Sequence, residues 1–381
     1  MKSLIYSLVF LFFFVGCKKN STPDQDKQVQ LYLPGVYFTD IEKVGYGQPS
    51  PVIMDKLIEM VDSAPENSHL YLSIFGFDHA GVISALERAA KRGTILHIMI
   101  DFSVDDTKKQ NPGTISKIRG VINANSEVVV VTSDVNESSI NHNKFVLFSE
   151  LNTTDGKVQN VVFQTSHNFT VDDSKKVQDA VTLNDSGLYD AYKTYWNDIK
   201  TKAAAGMKDF NYREYNGNNL TAFFYPKRKN GVVYGDDTII EILNSLDPTT
   251  ATIRVGMSDW VKSRINVADK LSDLLDQGAK VEVVVKNKID AEIQNVLNSM
   301  KSRGAFIKIY NISKTNIHSK FMLIEGKYKG EQCTLLITGS HNFTTNALRN
   351  NNETMLMMKN QKVLYDKYVS YYTELKKLPG I

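Results

Sequence analysis

The sequence repeats itself. Ser166-His167-Asn168-Phe169-Thr170 returns unchanged as Ser340-His341-Asn342-Phe343-Thr344. His142-Asn143-Lys144-Phe145 returns as His318-Ser319-Lys320-Phe321, and Tyr189-Asp190-Ala191-Tyr192 is echoed by Tyr365-Asp366-Lys367-Tyr368. The motifs keep their order, with a period near 175 residues. A duplication of this length constrains the fold more than any other feature, because each copy is long enough to bury a core of its own. The halves expected are residues 34–200 and 221–381. Between them, 201–220 contains Gly206, Gly217 and several asparagines without any period, which reads as a linker.

Within each half the hydrophobic pattern alternates between helix and strand. Val52, Ile53, Leu57, Ile58 and Val61 have helical spacing, and Thr238 to Leu246 is the counterpart in the second half. Strands follow at Leu70–Phe75 and Thr252–Gly256. Helices are expected at Val82–Lys91 and Ile265–Asp276, ending near Gly93 and Gly278. Strands resume at Ile95–Ile100 and Lys280–Val285, and again at Val128–Val131 and Ile307–Tyr310. Strand, helix and strand within about 30 residues is a βαβ unit, so the fold class is α/β with a mixed sheet covered by helices.

Apolar residues make up 42% of the chain and charged residues 23%, a composition for folding rather than disorder. A formal charge of +3 is too small to imply nucleic acid or an anionic membrane by itself. Two cysteines, Cys17 and Cys333, exclude a disulfide framework and a cysteine-rich metal site. Cys333 sits in an apolar run and reads as a core residue. Residues 1–16 form a signal peptide, with Lys2 at the start and an apolar stretch from Leu4 to Val15 that is too short to span a membrane. Phe14-Val15-Gly16-Cys17 resembles a bacterial lipobox, which makes Cys17 the lipidated residue and 17–33 a tether. The expected location is therefore outside the cytoplasm, lipid-anchored to a bacterial membrane on its periplasmic or surface face. The alternative is plain secretion.

Each copy of the motif ends one apolar run and begins another, so its polar residues meet in space. If the halves pack about a pseudo-twofold axis, His142, Lys144, Ser166 and Asn168 face His318, Lys320, Ser340 and Asn342 across one cleft. Such a set suits phosphodiester chemistry. One neutral imidazole attacks phosphorus and the other, protonated, serves the leaving oxygen. Lysines and asparagines hold the non-bridging oxygens. A carboxylate behind each imidazole would orient and charge it, and the candidates are Glu353 and its expected counterpart Asp179. His167 and His341 lie beside the serine and asparagine and are expected only to pack locally. The spacings do not give three or four convergent zinc ligands, so neither metal nor cofactor is expected.

These residues resemble the phospholipase D superfamily, whose signature is His-x-Lys, four residues, then Asp, followed downstream by Gly-Ser-x-x-Asn. The resemblance implies two tandem α/β/α sandwich domains related by a pseudo-twofold, one shared active site, a phosphohistidine intermediate and no metal requirement. It makes His142 and His318 the nucleophile and acid/base pair, with Lys144, Lys320, Asn168 and Asn342 on the phosphate and Ser166 and Ser340 beside them. The sequence departs from the signature at Ser149 (next to Glu150) and Glu325, where the aspartate would stand, and at Thr165, where the first glycine would stand; Glu325 is expected, with Asp179 and Glu353, among the residues that support the site.

The expected activity is that of a monomeric phosphodiesterase, with a phospholipid membrane as both substrate and anchor. It would convert a phospholipid to phosphatidic acid and its head-group alcohol, or transfer the phosphatidyl group. One alternative is a nuclease, for which Lys227, Arg228 and Lys229 are a candidate groove or else a solvated turn. The other is a surface module without activity.

Overall fold

The computed structural model describes residues 27–134 and 138–380. The expected signal peptide, Cys17 and the first part of the tether lie outside the described residues. Among the described residues no helix is long and apolar enough to cross a membrane.

The first half forms one eight-stranded sheet. Its strands are β1 (Gly35–Phe38), β2 (His69–Ile74), β3 (Ile95–Asp101), β4 (Glu127–Ser133), β5 (Lys144–Thr153), β6 (Gly156–Thr165), β7 (Asp179–Asn184) and β8 (Ala204–Ala205). They run in the order β1-β7-β6-β5-β2-β3-β4-β8. The neighbours from β2 through β3 and β4 to β8 are parallel, and the rest are antiparallel.

The second half opens with β9 (Arg213–Gly217) and β10 (Leu220–Tyr225), then a small ribbon of β11 (Arg228–Lys229) and β12 (Val232–Val233). It continues with β13 (Thr252–Met257), β14 (Lys280–Lys286), β15 (Phe306–Tyr310), β16 (Lys320–Tyr328), β17 (Glu331–Gly339) and β18 (Glu353–Lys359). The second sheet has the order β15-β14-β13-β16-β17-β18-β10-β9 and repeats the core of the first. The stretch 201–220 is not bare linker. Ala204–Ala205 extends one sheet edge and Arg213–Gly217 the other, which satisfies its backbone groups as the chain crosses over.

The mixed sheets follow from the βαβ pattern, and the expected helices form with small shifts at their ends. Ala80–Arg92 is capped by the His79 side chain, which accepts from Val82 N–H. It ends at Gly93, whose φ of +95° favours glycine. Helices 52–62, 80–92 and 112–121 cover the outer face of the first sheet, and helices 238–244, 265–276 and 291–302 that of the second. The inner faces meet in a single shared core. Helices 186–202 and 362–377 pack there, and they carry the repeated tyrosines. Tyr192 meets Phe145 edge-on at 4.9 Å, and its repeat mate Tyr368 meets Phe321 at 5.5 Å.

Two buried polar links cross between the halves in this core. The Tyr368 hydroxyl donates to Asp179 Oδ2 at 2.7 Å and Thr338 Oγ1 donates to the same oxygen at 2.5 Å. Symmetrically, Tyr192 and Thr354 both donate to Gln164 Oε1, at 3.1 and 2.7 Å. Asp179 therefore belongs to the packing between halves. Tyr368→Phe would leave a buried carboxylate oxygen with one donor fewer. Its expected cost is about 1–3 kcal/mol of stability, read as a lower urea midpoint at unchanged m.

Candidate active site

Both histidines precede a central strand, β5 or β16, and both are held by the opposite half. His142 N–H donates to Asn352 O at 2.9 Å, and His318 N–H donates to Val177 O at 3.0 Å. Short parallel bridges, Asn141 with Asn352 and Ile317 with Val177, join the halves at these points. The loops after β6 and β17 bring in Ser166–Asn168 and Ser340–Asn342. The two motif sets thus come together in one site.

The groups behind the two imidazoles differ. His142 Nδ1 faces Glu353 Oε2 at 2.9 Å. That carboxylate also accepts from Ser340 Oγ at 2.6 Å and is completely buried. Behind His318 stands an amide, with Gln178 Oε1 at 3.1 Å from Nδ1 and Ser166 O at 3.2 Å. Ser166 Oγ donates to Gln178 Oε1 at 2.8 Å, as Ser340 does to Glu353. Asp179 was expected in this position, and the structure places Gln178 there instead. The strand register explains the error. Thr165 pairs with Ala180 while Gly339 pairs with Met355, so Glu353 matches residue 178. The second loop is one residue longer, and counting thirteen residues on from each serine therefore lands on Asp179 in one half and Glu353 in the other.

Glu325 also leaves the expected set. It is exposed, and it lies seven residues along the chain from His318, roughly 23 Å away at strand rise. Ser149 occupies the same place on β5, where its hydroxyl accepts from His69 N–H at 2.7 Å. Neither signature-aspartate position touches the site, so these departures do not bear on its chemistry. Thr165 does not displace Ser166. Ser166 N–H bonds Asp179 O at 3.0 Å just as Ser340 N–H bonds Thr354 O at 2.9 Å.

Lys144 and Lys320 are fully buried. Lys144 Nζ donates to His142 O at 2.8 Å, and Lys320 Nζ donates to His318 O. Among the described residues no carboxylate forms an ion pair with either. Burial pushes Lys144 down to about 8, against the pull of Glu353, Asp173 and Asp101. Lys320 is held well below its ordinary value by burial and then by Lys144. Burial lowers His142 as well, with Glu353 opposing. Burial and then Lys320, Lys176, Lys286 and Lys144 together hold His318 well below the usual histidine range. Asn168 and Asn342 are matched. Their Oδ1 atoms accept from the N–H of Gly76 at 3.3 Å and of Asp259 at 3.4 Å, which leaves each NH2 end available as a donor.

Several supporting residues were not apparent from the sequence. Asp101, at the end of β3, accepts from Asn141 N–H at 2.6 Å and so fixes the residue before His142. Burial pushes its carboxyl up to about 6 against four donated hydrogen bonds. The matching position in the second half is Lys286, bonded to Ser258 Oγ at 3.0 Å and Asp259 at 3.1 Å. The two ends of parallel strands after a βαβ unit are where such residues collect, but nothing in the sequence selected these two. His167 and His341 are buried, and burial pushes them down to about 4 and about 3. The basic run at 227–229 supplies no open groove. Lys227 is buried against Glu241, and Arg228 donates to Arg349 O and Asn350 Oδ1. Among the described residues no group of three or more His, Cys, Asp or Glu side chains is arranged to hold a metal.

A family profile described as "Cardiolipin synthase, PLD-like domain" matches residues 57–200 and 242–375, one match in each half. Comparison with functionally curated proteins gave no match. Among solved structures, the chain is similar to phosphatidylserine synthase from Haemophilus influenzae, with a TM-score of 0.61 at 12% identity. That similarity covers 90% of this chain and 86% of the other. It is also similar to polyphosphate kinase from Porphyromonas gingivalis, with a TM-score of 0.56 at 12% identity over 90% of this chain. It spans half the length of that kinase. At these identities the likeness shows the fold, two helix-flanked mixed sheets.

Two outcomes test the site directly. Sulfate, which does not titrate in this range, should bind more tightly below about pH 8 than above it. Its affinity should fall as the pH rises through about 8 and Lys144 loses its proton, read by calorimetry across pH. Glu353→Gln would place amides behind both imidazoles. Turnover of a phosphodiester should then drop by on the order of 10²-fold or more while the melting temperature changes little.

Proposed function

This chain belongs to the phospholipase D-like domain family, and we propose that it is a phosphodiesterase that acts on phospholipids through a phosphohistidine on His142. The observation that carries this reading is the pair of buried, uncompensated ammonium groups beside two imidazoles. A buried charge without a partner is costly, and a bound phosphate diester supplies the missing negative charge.

The assignment of roles follows from the groups behind the rings. Glu353 accepts from His142 Nδ1–H, which raises electron density at Nε2 and stabilises the cationic phosphoimidazole that forms there. His318 has no carboxylate in direct contact and sits among lysines, so it is the stronger acid of the two. In the first step His142 Nε2 bonds to phosphorus, the P–O bond to the leaving alcohol breaks, and His318 gives that oxygen its proton. In the second step His318 takes a proton from water or an acceptor alcohol. The new P–O bond forms as the P–N bond breaks. Lys144, Lys320 and the amide ends of Asn168 and Asn342 hold the non-bridging oxygens as charge grows on them. Beside Asn168 a cleft of about 440 Å³, bordered by Phe75, Lys109, Gln110 and Lys176, leaves room for a substituent of the phosphate. A lipid substrate also suits the expected export and lipidation at Cys17.

The test is a panel of phosphatidylcholine, phosphatidylethanolamine, cardiolipin and single-stranded DNA with excess EDTA. A phospholipid should be turned over. His142→Ala and His318→Ala should each lower the rate by about 10³-fold or more, and mapping under alkaline conditions, where a phosphoramidate survives, should find phosphohistidine in the wild type and none in the first variant. Turnover of DNA alone would make the protein a nuclease, and unchanged rates in both variants would remove the mechanism.

A further inference from the structure

The pocket behind His318 contains a carboxylate that the mechanism above does not use. Asp173 is buried, and its Oδ2 lies 3.8 Å from His318 Nδ1, too far for a hydrogen bond. Gln178 bridges the two from the side. Its Nε2 faces Asp173 Oδ2 at 3.3 Å and Asp173 O at 3.4 Å, while its Oε1 accepts from Ser166 Oγ and faces His318. Acceptors on one side and donors on the other leave the amide a single orientation. Asp173 Oδ2 also accepts from Asn168 N–H at 2.8 Å, and Lys176 pairs with the other oxygen. The first half therefore has no carboxylate where Glu353 stands in the second. It has Asp173 instead, 3.8 Å from the ring and tied to it by the Gln178 amide.

We propose that Asp173 and Gln178 are positioning residues that connect His318 to a carboxylate through an intervening amide, making it a strong acid but a weak base. The inference rests on the reading of the site as a two-step phosphodiesterase. Its consequence is kinetic. The proton that His318 gives away in the first step leaves readily. The proton it must take from water or alcohol in the second step is drawn by a poor base. The covalent phosphoenzyme on His142 therefore accumulates, and its lifetime gives an acceptor alcohol time to compete with water. A direct carboxylate, as His142 has, would shorten that lifetime. The low basicity of His318 agrees with its crowding by Lys320, Lys176, Lys286 and Lys144.

The test exchanges the two groups. Gln178→Glu with Asp173→Asn keeps the charge and the number of polar atoms and moves the carboxylate next to the imidazole. The alkaline limb of kcat/KM on a phospholipid should move up by about 1 pH unit or more, and the steady-state fraction of phosphoenzyme caught by rapid quench should fall. Gln178→Glu alone carries the same expectation for the limb if the double variant does not fold. A variant that folds and turns over with both readouts unmoved would overturn the inference, and so would wild-type enzyme that turns over without accumulating phosphoenzyme. Wild-type protein that turns over no phosphodiester would instead remove the proposed function on which the inference depends.

Discussion

Each histidine of the pair is held by the half of the chain that does not contain it. His142 reaches Asn352 and Glu353, and His318 reaches Val177 and Gln178. The site does not exist within either half, and its geometry is only as good as the packing between them. That packing is an aromatic core shared by both sheets and pinned by two buried polar links, Asp179 with Tyr368 and Gln164 with Thr354. Tyr368 and Thr354 therefore help to hold the two imidazoles in one site.

Burial does the second part of the work. Taking two lysines out of water without carboxylate partners lowers their hold on a proton and leaves an unbalanced positive site. Such a site is unfavourable when empty and suited to an anion. Burial depresses all four motif histidines, but only His142 has a carboxylate in direct contact to offset it. Two copies of one motif thus diverge in their surroundings without a change in their histidines. The divergence lies in what stands behind the rings.

Much of this was legible in the sequence, and the failures have specific causes. Apolar runs with alternating period and glycines at helix ends placed the central strands and the long helices, because those signals are local. The His-x-Lys and Ser-His-Asn copies showed which polar residues would meet, because strands of a mixed sheet bring their ends together. The assignment of Asp179 failed because it relied on spacing, and a one-residue difference in a loop shifts every residue after it. Glu325 failed because motif proximity in sequence is not proximity in space along an extended strand. Asp101 and Lys286 left no sequence signal, since Asn141 and Ser258, which they bond, are distant in the chain, and Asp173 left none because the His318 it lies near is distant too.

The sequence by itself determined that the chain is a duplication, that each copy is an α/β unit, and that two imidazoles and two ammonium groups belong together. Repetition and periodicity are properties of the linear chain, and they survive without knowledge of any contact. Only the tertiary structure decided that the two copies are unequal. The strand register set Gln178 rather than Asp179 behind His318, and burial decided which charges are compensated. Register and burial are properties of the packed pair of sheets, and neither half carries them alone.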